Sequence, residues 1–119
     1  MLAIKKVRPI LHGLRTFLVK SRECEITGRA ASAAYCYSVW LRHLRVAWAQ
    51  GLRGVPDSVA ELGPGDSLGS GMAAVICGAS RYTALDIAAY AARSDNLEIF
   101  DELVSFFRTR RRIPDESDV

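Results

Sequence analysis

A chain of 119 residues and 13.1 kDa has room for one small domain with a single core, which excludes a multidomain reading. Half of its residues are hydrophobic and 24% are charged, which excludes a disordered tail and a fibrous repeat. A net charge of +3 is too small to imply a polyanionic partner, but it is unevenly divided: residues 1–54 carry 10 Lys/Arg and 2 acids, and residues 55–119 carry 6 and 11.

From Leu2 to Lys20, residues Ile4, Val7, Leu11, Leu14 and Leu18 recur at steps of three or four, and Lys5, Lys6, Arg8, Arg15 and Lys20 lie between them. That spacing predicts a basic amphipathic helix, kinked or started by Pro9. It has the form of a helix that lies on an anionic membrane or RNA, but its apolar stripe is better read as a face that docks on a core. His12, Arg15 and Lys20 interrupt any signal-peptide core, and no stretch reaches the roughly 20 apolar residues that span a bilayer, so the expected location is cytoplasmic. Ser21 to Gly28 reads as a polar connector. A second helix is predicted from Ala30 to Gln50, with Tyr37, Leu41, Leu44 and Trp48 on one stripe and Gly51 as its stop. Gly51, Gly54 and Pro56 form a turn, so residues 1–54 read as an N-terminal helical region and residues 55–119 as a separate α/β unit.

In that second unit Val59, Ala60 and Leu62 make a brief strand, followed by the glycine-dense GPGDSLGSG from Gly63 to Gly71. Met72 to Cys77 reads as a helix ended by Gly78, and Tyr82 to Leu85 as a second strand ending in Asp86. Leu97, Phe100, Leu103, Val104 and Phe107 predict an amphipathic helix over Asn96 to Arg112, capped by Asp95, with Arg108 to Arg112 at its negative end. The expected fold class is therefore α/β: strand, helix, strand, helix on a parallel sheet, preceded by two α-helices. Cys24, Cys36 and Cys77 are an odd number with no Cys-x-x-Cys pair, so they read as reduced and buried, without a disulfide framework or a zinc site.

The residues with chemistry to offer are ELGPGDSLG, Glu61 to Gly69. Gly63 and Gly65 allow a tight turn and close backbone approach to a ligand, and the following helix directs N–H groups at the same place. Glu61 adds a carboxylate suited to a cationic group. Asp86 ends the next strand 21 residues after Gly65, where an acid accepts both hydroxyls of a ribose. A P-loop is excluded because no lysine follows the glycines, and the fingerprint G-x-G-x-x-G started at Gly63 meets Leu68 where its third glycine belongs.

What remains, acid-x-Gly-x-Gly with an acid closing the next strand, resembles the class I methyltransferases that use S-adenosylmethionine. The resemblance spans Val59 to Asp86, and YCYSVWLRHL, Tyr35 to Leu44, looks like the helix that precedes this loop in some bacterial methyltransferase-like proteins. It departs from the commonest pattern at the third glycine, where Ser67 stands and Gly69 follows two residues later. By this resemblance the fold is a partial Rossmann-like one and the cofactor is S-adenosylmethionine. Gly63 and Gly65 would offer backbone to it, Glu61 would lie near its amino group, Asp86 would hold the ribose and Ile87 would cover one adenine face. The full sheet of that family has about seven strands, so a chain with two is expected to be truncated, lacking a C-terminal half, or to associate with a second copy. The acceptor is unidentified, no catalytic residue is assigned, and no metal site is expected: His12 and His43 stand alone.

Bland readings stand beside these. The glycine segment makes an ordinary turn, Glu61 or Asp86 caps a helix, the arginines answer a helix dipole, and Tyr35, Tyr37, Trp40 and Trp48 pack a core. An alternative function from another class is a non-catalytic interaction module whose basic helices bind a partner, RNA or a membrane surface.

Overall fold

The computed structural model describes residues 32–93 and 95–114, so the basic helix expected over Leu2–Lys20, the connector after it and Cys24 lie outside the described residues. Ser32 is extended (φ −103°, ψ 127°) and its hydroxyl accepts from Tyr35 N–H, so the first described helix, α1, runs Ala33–Ala49 and starts later than the Ala30 of the sequence reading. Gly51 (φ 106°) and Gly54 (φ 86°) then turn the chain into β1, Ser58–Leu62. Helix α2 spans Gly69–Ile76, β2 spans Arg81–Leu85, a short 3₁₀ turn covers Tyr90–Arg93, and α3 spans Asn96–Thr109.

The two strands pair in parallel, Ser58 opposite Arg81 through to Leu62 opposite Leu85, so a helical crossover is obligatory and α2 supplies it. Val59, Glu61 and Tyr82 are half-buried on one face of the sheet, whereas Ser58, Ala60, Leu62, Arg81, Thr83 and Leu85 are exposed. Helix α2 packs on both strands, on α1 and on α3. Its small residues permit that crowding. Ala73 and Ala74 are fully buried beside Tyr37, Trp40, Ile99 and Leu103, in a core shared by elements on both sides of residue 54.

Helix α2 corrects the sequence reading, which began it at Met72. Glycine lowers helix propensity by about 1 kcal/mol relative to alanine, yet Gly69 and Gly71 are helical here because their neighbours need the room. A β-carbon on Gly69 would fall 2.8 Å from Cys36 Cβ and 3.2 Å from Ile99 Cγ2, and one on Gly71 would overlap the Tyr82 ring. Helix α3 also ends early. Its predicted cap holds, with Asp95 accepting from Leu97 N–H and Glu98 N–H, both at 3.1 Å, but Arg110 is left-handed (φ 49°) and stops the helix at Thr109. Arg111 therefore leaves the helix axis and stacks over the Phe106 ring at 4.3 Å. Tyr37 meets Phe106 and Phe107 edge-on and donates to Arg111 O at 2.7 Å, while Arg42 donates to Pro114 O, which ties the tail to α1. The 3₁₀ turn was not foreseen. Among the described residues no helix is long and apolar enough to cross a membrane.

Leu103 is fully buried at the meeting of α1, α2 and α3. Leu103→Ala is expected to lower unfolding free energy by about 2–5 kcal/mol in urea titrations, with secondary structure retained under native conditions.

Candidate functional site

The site grows out of the end of β1. Gly63 N–H donates to Leu85 O at 2.8 Å, adding one rung to the ladder before the chain turns away. Gly63 (φ 70°) and Gly65 (φ 74°) both lie in the left-handed region that residues with a β-carbon rarely enter, with the buried Pro64 between them. The bend is thus a strand-to-helix turn that depends on two glycines.

Asp86, one residue past β2, faces that bend. Its Oδ2 accepts from Gly65 N–H at 3.3 Å and its Oδ1 accepts from Ile87 N–H at 2.7 Å, so each carboxylate oxygen is oriented by a backbone donor. The side chain caps no helix. The Ile87 side chain is 85% exposed. Between the bend and the chain after β2 lies an open cleft of about 400 Å³, within the range of small-molecule sites. It is lined by Pro64, Leu68, Ala84, Asp86 and alanines of the 88–92 segment. Of the five residues expected to hold a cofactor only Asp86 lines it; Glu61, Gly63, Gly65 and Ile87 do not.

Glu61 sits at the other end of the bend, half-buried on the covered face of the sheet. It does not cap α2: the Leu68 N–H at that N-cap is taken by the side chain of another residue. Its Oε2 instead accepts from the Tyr82 hydroxyl at 2.5 Å. The register makes this contact available: Val59 pairs with Tyr82 and Glu61 with Ala84, so Tyr82 and Glu61 are diagonal neighbours on one face. Burial, then the Glu61 bond and charge, push the Tyr82 phenol above its ordinary range. Close by, Cys36 Sγ lies 3.7 Å from Ser67 Oγ, which also accepts from Gly69 N–H at 3.3 Å. Burial raises the Cys36 pKa, with the Ser67 bond opposing and the Glu61 charge reinforcing the rise. It is a protonated thiol at neutral pH, the opposite of an activated nucleophile. Neither Cys36 nor Cys77 is in a disulfide, and Cys77 is half-buried, accepting from the Trp40 indole N–H at 3.2 Å.

Two residues of the site escaped the sequence reading. Asn96 was only the first residue of a helix, yet its Oδ1 accepts from Leu68 N–H at 3.0 Å and its Nδ2 donates to Ala91 O at 2.7 Å. It thereby joins the two walls of the cleft. Nothing in the local sequence signals that bridge. By sequence alone Tyr82 reads only as a strand residue. Aligning the two strand ends, Leu62 with Leu85, would have put it on the Glu61 face. Among the described residues no group of His, Cys, Asp and Glu is suited to hold a metal ion. No protein-family model, curated protein or solved structure matches the chain.

Asn96→Ala leaves Leu68 N–H and Ala91 O without this partner, and is expected to cost about 1–3 kcal/mol, read as a lower urea midpoint and faster amide exchange at Leu68. Tyr82 carries a pH signature. Because its folded-state pKa is raised, the unfolded chain releases the phenolic proton first, so the stabilisation is complete below about pH 10 and is lost as the pH climbs above it. Tyr37, Cys36 and Cys77 are raised by burial and contribute with the same sign. Urea titrations at several pH values from 8 to about 11 should therefore show falling stability in the wild type, with a shallower fall above about pH 10 in Tyr82→Phe.

Proposed function

We propose that this chain is the cofactor-binding front of a class I methyltransferase-like protein, with S-adenosylmethionine held in the bend after β1 and a partial Rossmann-like sheet beneath it. One observation carries the reading: Asp86, which lines the cleft 21 residues beyond Gly65, turns its carboxylate onto the Gly65 amide. An acid that merely capped a helix would not face the preceding loop.

The residues present fit such a ligand. Each Asp86 oxygen is steadied by one backbone N–H and retains acceptor capacity for a ribose hydroxyl. The alanines beside it leave a flat wall for a purine, and the exposed Ile87 is free to fold over the ring. Gly63 and Gly65 expose backbone to the ligand without a β-carbon in the way. Glu61 offers a carboxylate for the ammonium of the methionine part. S-adenosylmethionine itself supplies a methyl group on a sulfonium centre; the chain's part is to bind and orient it. No residue is assigned as a base, and the acceptor belongs to a pocket outside these elements. In this reading the exposed sheet face with Leu62 (81% exposed) and Leu85 (55%) is where a second copy or further strands of the fold would pack.

Isothermal titration of the full chain with S-adenosylhomocysteine is expected to show saturable binding. Asp86→Ala should weaken it about 10- to 100-fold, the worth of hydrogen bonds to a charged acceptor. Absence of heat from a chain folded by circular dichroism, or equal affinity in the variant, would overturn the proposal.

A further inference from the structure

Glu61 is held by one residue that the cofactor reading does not use. Tyr82 reaches diagonally across the sheet and donates its hydroxyl to Glu61 Oε2 at 2.5 Å. Its ring packs against α2. Gly71 of α2 lies against it so closely that a β-carbon there would overlap Cδ1, Cε1 and Cζ. The ring is wedged between helix and sheet, and a glycine is placed inside a helix to admit it. A phenol in this position occupies one carboxylate oxygen, so that the other is presented in a defined direction. It also remains a donor at every physiological pH, since burial and the Glu61 charge hold the proton on.

We infer that Tyr82 is a positioning residue, which with Gly71 behind its ring locks the Glu61 carboxylate so that Oε1 is presented to the ammonium group of an aminoacyl-bearing ligand in the bend. The inference rests on the cofactor reading above and adds to it a determinant of specificity: the site favours ligands that keep the α-amino acid over those that carry only the thioadenosine. Tyr82 touches no ligand in this account. It acts through Glu61.

Two ligands separate this role from a merely structural one. S-adenosylhomocysteine carries the amino acid; 5′-methylthioadenosine has the same nucleoside and sulfur without it. Titration of the full chain is expected to show that Tyr82→Phe weakens S-adenosylhomocysteine about 5- to 10-fold, the worth of one lost hydrogen bond, and leaves 5′-methylthioadenosine within about twofold. Glu61→Gln should produce the same split, and Tyr82→Phe added to Glu61→Gln should cost nothing further, because the two act as a unit. Equal loss for both ligands, or no loss for either, would overturn the positioning role while leaving the cofactor reading intact. Should Tyr82→Phe fail to fold by circular dichroism, absence of the split in Glu61→Gln overturns it instead. Failure of the wild type to bind either ligand removes the cofactor reading and this inference together.

Discussion

Parallel pairing of Leu62 with Leu85 sets the two strand ends side by side, and everything that could bind a ligand here hangs from that register. A shift of two residues along β2 would carry Asp86 some 7 Å away from the Gly65 amide, given the rise of a strand. A shift of one would also turn Tyr82 to the open face and leave Glu61 half-buried without its donor. The register is fixed in turn by α2, which has to cross from the end of β1 back to the start of β2 while fitting its alanines and glycines against Cys36, Tyr82 and Ile99. Packing of small residues in the crossover therefore sets the geometry of polar groups at the far end of the sheet.

That dependence explains why the glycines of GPGDSLGSG serve different purposes. Gly63 and Gly65 are there for backbone conformation, at positive φ. Gly69 and Gly71 are there for space, in ordinary helical conformation, at two points where side chains from other elements press against α2. A run of glycines looks uniform as a string, and reading all of it as loop placed the helix start three residues too late. The polar groups beneath the bend are similarly shared out. Glu61 is held by Tyr82, Ser67 connects Cys36 to the start of α2, and Asn96 ties the bend to the segment after β2. Among the described residues no buried side-chain nitrogen or oxygen lacks a hydrogen-bond partner.

The covered and uncovered faces of the sheet differ sharply in chemistry. The covered face presents Val59, Glu61 and Tyr82 to α2, and the open face carries Leu62 and Leu85 beside Ser58, Ala60, Arg81 and Thr83. Among the described residues one face of the two-stranded sheet is covered, and the sheet owes its order largely to that helical layer. The largest buried side chains belong accordingly to α1 and α3, and the strands contribute little beyond Val59 to the core.

Local pattern was enough to reveal the order of the two strands and three α-helices among the described residues, the Asp95 cap, the parallel α/β character, and the pairing of a glycine bend with an acid at the end of the next strand. These depend on periodicity, on left-handed backbone that only glycine adopts readily, and on chain order, all of which are written in neighbouring residues. Tertiary structure alone decided the helical state of Gly69 and Gly71, the left-handed stop at Arg110, the Asn96 bridge, and the burial of the Glu61 carboxylate against Tyr82. Three of these depend on atoms distant in the chain: the sulfur of Cys36, the amide of Leu68 and a phenol on the second strand. A sequence window of a dozen residues pairs neither Gly69 with Cys36, nor Leu68 with Asn96, nor Glu61 with Tyr82, so contact and register had to supply those partners.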